Sequence, residues 1–282
     1  MLKRSGLTTV QWTLLVAGFL TVLLVPLMVD ALLGQGAVIA AVSLAALFVG
    51  FLVLEARHYQ LLLFEELLSE ARRQFSQVDA LLSIHRTLDG GMPLPPSRGW
   101  AASPDLMREV LRLVMKQHPR VILEVSSGTS TVILAYALER IGAGHVYALE
   151  HELHYAERTR SYLQEHGLAH RATVVHAPLI EQPLEGSHVR WYDLRTLDLP
   201  GGIDFMLVDG PPDTTGPMAR YPAVPLLKER FSVRTTVVLD DGSREDETRT
   251  VDRWAQFEGA ATPEFLPLEK GAWLLRFTRS EG

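Results

Sequence analysis

The sequence predicts a C-terminal α/β domain with a mostly parallel sheet, preceded by a transmembrane helical hairpin and an amphipathic stalk helix. Apolar runs, each long enough for one strand, alternate with amphipathic helical segments from about residue 100 to residue 257. Strands that are apolar throughout belong to parallel sheets covered on both faces. The chain then ends in two strand-like runs joined by a Glu-Lys-Gly turn, which predicts an antiparallel hairpin at one edge of the sheet.

The composition excludes several classes of protein. The 282-residue chain has a formal net charge of -6, whereas a general nucleic-acid-binding protein needs a basic face to displace counterions from phosphates. We therefore expect no nucleic-acid partner. The chain contains no cysteine, which excludes disulfides, thiolate metal sites and cysteine nucleophiles.

Two apolar runs near the N-terminus predict two membrane spans within residues 1–56. Val10 to Val29 and Ala37 to Leu54 are each long enough to cross a hydrocarbon core of about 30 Å as a helix. The loop between the two runs has no Lys or Arg, whereas basic residues flank both outer ends: Lys3, Arg4, Arg57, Arg72 and Arg73. By the positive-inside rule, a multi-pass membrane protein is expected, with both termini and the C-terminal domain in the cytoplasm.

The segment 57–88 predicts an amphipathic, coiled-coil-like stalk helix. Its apolar residues follow alternating steps of three and four and form a seam: Leu61, Phe64, Leu68, Ala71, Phe75, Val78 and Leu82. Such a seam must be buried against another surface. Two interpretations stand, a parallel homodimer through the stalk or packing of the seam on the chain's own C-terminal domain or membrane hairpin.

The segment 89–99 is rich in glycine and proline and predicts a linker or a lid, so the C-terminal domain spans 100–282. Ser103 and Pro104 are typical of a helix start, and they open a predicted helix that ends near His118. The predicted strands are 120–125, 145–150, 172–177, 203–210 and 235–241, followed by the hairpin at 263–278. The predicted helices between them are 131–142, 152–167, 222–231 and 244–257.

The carboxyl ends of parallel strands are where open α/β sheets bind ligands. The residues delivered there are Glu124 with the loop 126–131, then Glu150 and His151, His176, Asp209, and finally Asp240 and Asp241. The loop places a helix N-terminus and small side chains beside a ligand. Glu124 would repel a phosphate and favours an ammonium group, and Glu150 is placed to accept hydrogen bonds from ribose hydroxyls. The combination predicts a nucleoside that carries an amino acid.

The domain from about residue 100 resembles a class I S-adenosylmethionine-dependent methyltransferase, O-methyltransferase-like, with a Rossmann-like seven-stranded sheet. The resemblance rests on "ILEVSSGTST", "VYALEHE", "LVDGPP" and "VVLDDGSRED". It implies that the loop holds the methionine part, Glu150 the ribose, and His176 with Ala177 the adenine edge. The implied cofactor-binding residues are Glu124, Ser126, Ser127, Gly128, Ser130, Thr131, Glu150, His151, His176, Ala177 and Asp209.

Asp209, Asp240 and Asp241 are the expected catalytic residues. Three carboxylates at adjacent strand ends repel one another unless a cation or hydrogen-bond donors compensate, and oxygen ligands at this density suit Mg²⁺ or another divalent cation. The resemblance to metal-dependent, catechol-type O-methyltransferases extends to these three positions. A lysine usual after the fourth strand in those enzymes is missing here. A metal-free site, with Asp240 or Asp241 as general base, therefore remains the alternative.

The resemblance implies methylation of a small-molecule or lipid-linked acceptor by a membrane-anchored enzyme. Trp191, Tyr192, Arg220 and Tyr221 lie in segments that would flank the acceptor, although packing of these loops onto the sheet explains Trp191 and Tyr221 equally well. Two other functions are open. One is a non-catalytic membrane scaffold that binds the cofactor. The other is an NAD-dependent oxidoreductase, whose phosphate loop would need glycines that this loop lacks.

Overall fold

The computed structural model describes residues 36–89, 92–96 and 102–279, together with scattered residues between 13 and 32. The chain divides into two compact units, Met1–Arg72 and Arg73–Gly282. Much of the first predicted span lies outside the described residues, but those described between 13 and 32 are helical. Gly18 of this run packs against Phe48 of the second run, since a Cβ on Gly18 would lie 2.9 Å from the Phe48 ring.

Helix α1 (Gly36–Leu88) joins the second apolar run and the stalk in one element of 53 residues. No glycine or proline interrupts the chain from Phe51 to Leu88, so nothing in the sequence breaks the helix between them. Among the described residues, Ala40–Leu88 is the one helix that is long and apolar enough to cross a membrane. The mean hydropathy of this apolar part is 1.8.

The seam residues of the stalk are exposed. Phe75, Val78 and Leu82 retain 75%, 53% and 59% of their accessible surface, and the four earlier seam residues are exposed too. Phe75, Val78 and Leu82 of the seam therefore do not pack on the C-terminal domain. A different face of the helix is buried: Gln77, Ala80, Ile84 and Leu88. The homodimer stays a prediction.

The C-terminal domain is built on a seven-stranded sheet in the order β3-β2-β1-β6-β7-β9-β8. The strands are β1 (Val121–Val125), β2 (His145–Glu150), β3 (Ala172–His176), β6 (Ile203–Val208), β7 (Phe231–Asp240), β8 (Glu264–Leu266) and β9 (Ala272–Thr278). The first five are parallel, and β9 runs antiparallel to both β7 and β8. The predicted parallel sheet and terminal antiparallel hairpin are confirmed.

Helices cover both faces of the sheet. They are α2 (Pro104–Gln117), α3 (Thr129–Ile141), α4 (Leu153–Glu165), α5 (Ala223–Leu227) and α6 (Glu245–Trp254). Successive residues of β1 point to opposite faces, so that Ile122 joins one hydrophobic core and Leu123 the other. The helix predicted at 222–231 is shorter than expected, because α5 passes into a 3₁₀ turn at Lys228–Arg230.

A two-stranded antiparallel sheet, which the sequence analysis missed, lies between β3 and β6. It consists of β4 (Leu179–Leu184) and β5 (Ser187–Tyr192). Glu185 and Gly186 join the strands with φ of 51° and 79°, as a two-residue hairpin turn requires. In the sequence, the Glu-Gly pair between two strand-like runs could have predicted this hairpin. This hairpin carries Trp191 and Tyr192 into the core, where they are 0% and 1% exposed.

Candidate active site

The predicted site residues lie at one edge of the sheet, where its parallel strands end. The strand order reverses between β1 and β6, and open α/β sheets bind ligands at such a reversal. The loops that follow β1, β2, β3, β6 and β7 therefore meet on either side of one crevice.

The loop after β1 leaves room for a ligand beside the start of α3. A Cβ added to Gly128 would meet nothing within 4 Å, and the Gly128 N–H donates to Thr131 Oγ1 at 3.0 Å. Ser126 has a φ of 121°, a backbone conformation that favours glycine, so the serine is held there at some cost in strain. The predicted linker also reaches this loop, because Thr129 Oγ1 donates to the Pro96 carbonyl at 2.9 Å. The linker residues 90, 91 and 97–99 lie outside the described part of the chain.

Glu124 lies fully buried beneath this loop. Its Oε2 accepts a hydrogen bond from Thr131 Oγ1 at 2.6 Å, whereas its Oε1 has no partner among the described residues. Burial raises the pKa of Glu124 to about 7, against the lowering effect of the nearby Ser130 hydroxyl and of the Thr131 hydrogen bond. A buried carboxylate oxygen without a donor is costly. The loop is therefore short of one hydrogen-bond donor or cation at this position.

Glu150 ends β2 next to the same loop. Its Oε2 accepts from Ser127 Oγ at 3.1 Å, and its Oε1 accepts from the Glu152 N–H at 3.1 Å. His151 Nδ1 lies 3.1 Å from Glu150 Oε1, without the geometry of a hydrogen bond. His176 is the register partner of Glu150 on β3. The Ala177 N–H donates to the Glu150 carbonyl at 2.7 Å, so the sheet brings these predicted cofactor residues together.

The three predicted catalytic acids converge on the other side of the crevice. Carboxylate oxygens of Asp209, Asp240 and Asp241 lie within 4.8 Å of one another. Arg220, predicted as an acceptor-binding residue, instead reaches into this cluster and is only 5% exposed. Its Nη2 donates to Asp209 Oδ1 at 3.2 Å and to Asp241 Oδ2 at 2.8 Å.

Two residues that the sequence analysis did not single out complete the cluster. Arg244 Nη1 lies 3.1 Å from Asp241 Oδ2. The buried Glu247 places its Oε1 3.8 Å from Arg220 Nε and 3.9 Å from Arg244 Nη1. Both residues lie within the segment "DDGSREDE", but charged residues at a helix start are usually solvated, so the pattern gave no separate signal.

The cluster holds more carboxyl groups than guanidinium groups, and burial disfavours the ionised form of each carboxyl. Four carboxyl groups face two guanidinium groups, and Asp240 Oδ2 is buried without a hydrogen-bond partner in the described structure. Burial, followed by the charge of Asp240, raises the pKa of Asp209 well above its usual range, against the lowering effect of Arg220. Burial and the charge of Asp241 likewise raise the pKa of Asp240.

The acid cluster does not fit a divalent metal ion in this arrangement. The resemblance implied an ion between Asp209, Asp240 and Asp241. The Arg220 guanidinium fills the space between two of these carboxylates at hydrogen-bond distance. A metal ion would have to displace it.

The other predicted acceptor residues pack against the fold. Trp191 is 0% exposed, and its ring contacts that of Tyr192 edge-on at 5.3 Å. The Tyr221 hydroxyl donates to Glu185 Oε1 at 2.5 Å, and the Arg253 guanidinium stacks on the Tyr221 ring at 3.9 Å. Tyr192 alone reaches the crevice, since its hydroxyl lies beside Gly210, the residue after Asp209.

Comparison with protein families supports the fold assignment. Residues 124–242 match a family model described as a methyltransferase domain. This match covers less than half of the chain. None of the curated proteins compared with the chain matches it.

Two solved structures share the fold. An O-methyltransferase from Bacillus cereus in complex with S-adenosylhomocysteine is 19% identical, with a TM-score of 0.50 over 74% of this chain and 97% of that chain. A methyltransferase from Podospora anserina, also bound to S-adenosylhomocysteine, is 15% identical, with a TM-score of 0.50 over 71% of this chain and 88% of that chain. The C-terminal domain therefore has the Rossmann-like α/β methyltransferase fold.

The contact between Tyr192 and Gly210 predicts that a methyl group at position 210 destabilises the site. In Gly210→Ala the new Cβ would overlap the buried Tyr192 hydroxyl and lie 3.2 Å from the Val125 carbonyl oxygen. We expect a loss of about 1–3 kcal/mol in the free energy of unfolding, measured by denaturant titration. Gly201→Ala is the matched control, because its Cβ would meet nothing within 4 Å.

Removing the Tyr192 hydroxyl tests whether overlap with it causes the loss of stability in Gly210→Ala. In a Tyr192→Phe background, Gly210→Ala should cost clearly less than in the wild type. An equal cost in both backgrounds would contradict the overlap with Tyr192.

Proposed function

We propose that this chain is a membrane-anchored, S-adenosylmethionine-dependent methyltransferase that methylates a hydroxyl oxygen of a small-molecule or lipid-linked acceptor. One observation carries the proposal: the buried, unpartnered Oε1 of Glu124 lies beneath an open loop at the point where the strand order reverses. The methyltransferase-domain match of residues 124–242 supports it.

The crevice suits the cofactor on chemical grounds. The ammonium group of the methionine part supplies the donor that Glu124 lacks, and Glu150 at the end of β2 is placed for the ribose hydroxyls. Gly128 leaves the space between them open. The loop is unsuited to a dinucleotide, because Glu124 would repel a pyrophosphate.

The cofactor assignment predicts that binding depends on pH through Glu124. Because the pKa of Glu124 is about 7, the carboxylate is mostly ionised at pH 8 and mostly protonated at pH 6. We expect S-adenosylhomocysteine to bind about ten-fold more weakly at pH 6 than at pH 8, as measured by calorimetry. Glu124→Gln should bind weakly at both pH values.

The exposed Glu157 provides the control, since Glu157→Gln should leave both the affinity and its pH dependence unchanged. Wild-type affinity in Glu124→Gln would rule out the proposed role of this carboxylate. Binding of NADH in place of S-adenosylhomocysteine would favour the oxidoreductase alternative.

Asp209 is the residue we propose as general base. When bound, S-adenosylmethionine supplies an electrophilic methyl group on a sulfonium. Asp209 has a side-chain exposure of 14%, compared with 7% for Asp241, and it follows the strand next to the cofactor loop. It would accept the proton of the acceptor hydroxyl as the oxygen forms its bond to the methyl carbon. Because its pKa is raised, the ionised Asp209 carboxylate is a stronger base than an ordinary carboxylate.

Substitution of Asp209 separates catalysis from binding. With a methyl-labelled cofactor and either a lipid extract or an extract of water-soluble metabolites, we expect wild-type protein to label a product at oxygen, identified by mass spectrometry. Asp209→Asn should lower the rate at least about 100-fold while changing the affinity for S-adenosylhomocysteine little.

Asp198→Asn is the control, because Asp198 is exposed and precedes β6 at the opposite edge of the sheet. Labelling at the wild-type rate in Asp209→Asn would refute the base assignment. Cofactor binding by the wild type without labelling of either extract would favour the scaffold alternative.

We also propose that the N-terminal unit anchors the protein in the membrane as a two-span hairpin. The apolar helix Ala40–Leu88 and the contact between Gly18 and Phe48 support the anchor. Basic residues flank the two predicted spans and are missing from the loop between them. An anchor would hold the catalytic domain near lipid-linked acceptors. The exposed stalk seam favours a parallel dimer, because two copies in one membrane have the same orientation.

A single experiment tests both the membrane anchor and the dimer through the stalk seam. The chain has no cysteine, so one introduced cysteine reports one position. Val78→Cys, in the seam, should give a dimer with a short bismaleimide crosslinker, and the protein should stay in the membrane pellet after an alkaline wash.

Ser76→Cys is exposed but lies outside the seam, and it should crosslink far less. Recovery in the supernatant would contradict the anchor. Equal crosslinking at the two positions would contradict the seam dimer.

A further inference from the structure

We propose that Arg220 takes the place of a divalent metal ion in the acid cluster of Asp209, Asp240 and Asp241, so that the site of this chain is complete without a metal. The inference deepens the proposed function, but it concerns the charge balance of the cluster and is testable without knowing the acceptor.

The position of the guanidinium carries the argument. The three acids present oxygens within 4.8 Å of one another. Oxygens across an octahedral Mg²⁺ lie about 4.2 Å apart, so this spacing is close to that of a metal site. Arg220 Nη2 lies between two of the three acids, at 3.2 Å from Asp209 Oδ1 and 2.8 Å from Asp241 Oδ2.

Arg220 also binds the backbone of both strands that supply the acids. Its Nη1 donates to the Asp240 carbonyl at 2.9 Å, and its Nη2 lies 3.3 Å from the Asp209 carbonyl. A planar guanidinium has five donors in a rigid fork and can hold carboxylates and carbonyls at once, whereas a lysine ammonium is a compact charge with three donors. It therefore sets the distance between the ends of β6 and β7 as well as balancing their charge.

A second arginine also binds one of the carboxylate oxygens that a metal would need. Arg244 Nη1 lies 3.1 Å from Asp241 Oδ2, the same oxygen that accepts from Arg220. Asp240 Oδ1 accepts from the Asp241 N–H at 2.6 Å. One oxygen of each acid, namely Asp209 Oδ1, Asp240 Oδ1 and Asp241 Oδ2, thus already accepts a hydrogen bond from the chain. Asp240 Oδ2 is buried without a partner among the described residues.

The fold fixes Arg220 in this place through its neighbour in the chain. The Tyr221 carbonyl accepts from Trp254 Nε1 at 2.9 Å, and Trp254 is fully buried. The Tyr221 ring lies under the Arg253 guanidinium and its hydroxyl binds Glu185. Moving Arg220 out of the cluster would disturb these contacts with α6 and the β4–β5 hairpin. The backbone that carries the guanidinium is therefore held at the cluster by the fold.

Removing the guanidinium should turn the cluster into a metal site. We would titrate the purified full-length chain with Mn²⁺ and follow free Mn²⁺ by electron paramagnetic resonance. The wild type should not bind Mn²⁺ at the cluster. Arg220→Ala and Arg220→Gln leave three acids without their central cation, and we expect one Mn²⁺ per chain, bound at least about ten-fold more tightly than by the wild type.

Asp241→Asn, added to each Arg220 variant, is the control that shows whether the Mn²⁺ lies at the acid cluster. It should abolish the Mn²⁺ binding that the Arg220 substitution creates. Circular dichroism establishes whether each variant is folded. Two variants are used because Arg220→Gln keeps a hydrogen-bonding side chain at this position, whereas Arg220→Ala leaves a cavity.

The wild-type titration decides the proposal even if neither variant folds. One Mn²⁺ bound by the wild type and lost in Asp241→Asn would overturn it, and no such binding supports it. Folded Arg220 variants that bind no Mn²⁺ would also overturn it. Failure to methylate any acceptor would count against the proposed function alone, because Mn²⁺ binding does not depend on turnover.

Discussion

The burial of four carboxyl groups at one edge of the sheet is the constraint on which the candidate site depends. Asp209 directly follows β6, Asp240 ends β7 with Asp241 next in the chain, and Glu247 faces them from α6. Acids this close and this buried are unstable as anions without compensation. Arg220 and Arg244 supply two positive charges, and burial raises the pKa values of Asp209 and Asp240.

The need to compensate a buried carboxylate also applies to Glu124, on the other side of the crevice. Glu124 is buried with one oxygen unpaired, but no arginine of the described chain is seen to pair with it. Its partner would have to come with the ligand. One side of the crevice is therefore compensated by the protein itself, and the other is left to be completed by an ammonium group. This asymmetry is what we expect if the cofactor binds reversibly at Glu124 while the acids keep a fixed geometry.

The sequence predicted the strand ends well, because carboxyl ends of parallel strands must meet at one edge. Glu124, Glu150, His176, Asp209 and Asp240 lie there as expected. The contact of Arg220 with the acid cluster was not predicted, because Arg220 comes from the irregular turn before α5 and only tertiary packing brings it to Asp241, 21 residues away. The stalk shows a similar limit. The heptad pattern predicted a helix, but the face with Gln77, whose Oε1 accepts from the Asp105 N–H, packs on the domain.

The central claim, that an arginine rather than a metal completes the acid cluster, is tested most directly by diffraction. Crystals of the full-length chain grown with S-adenosylhomocysteine and millimolar MnCl₂ would be measured at the manganese absorption edge. We predict no anomalous peak between Asp209, Asp240 and Asp241, with the Arg220 guanidinium in density at that position. A manganese peak bound by these carboxylates, with Arg220 displaced, would contradict the account.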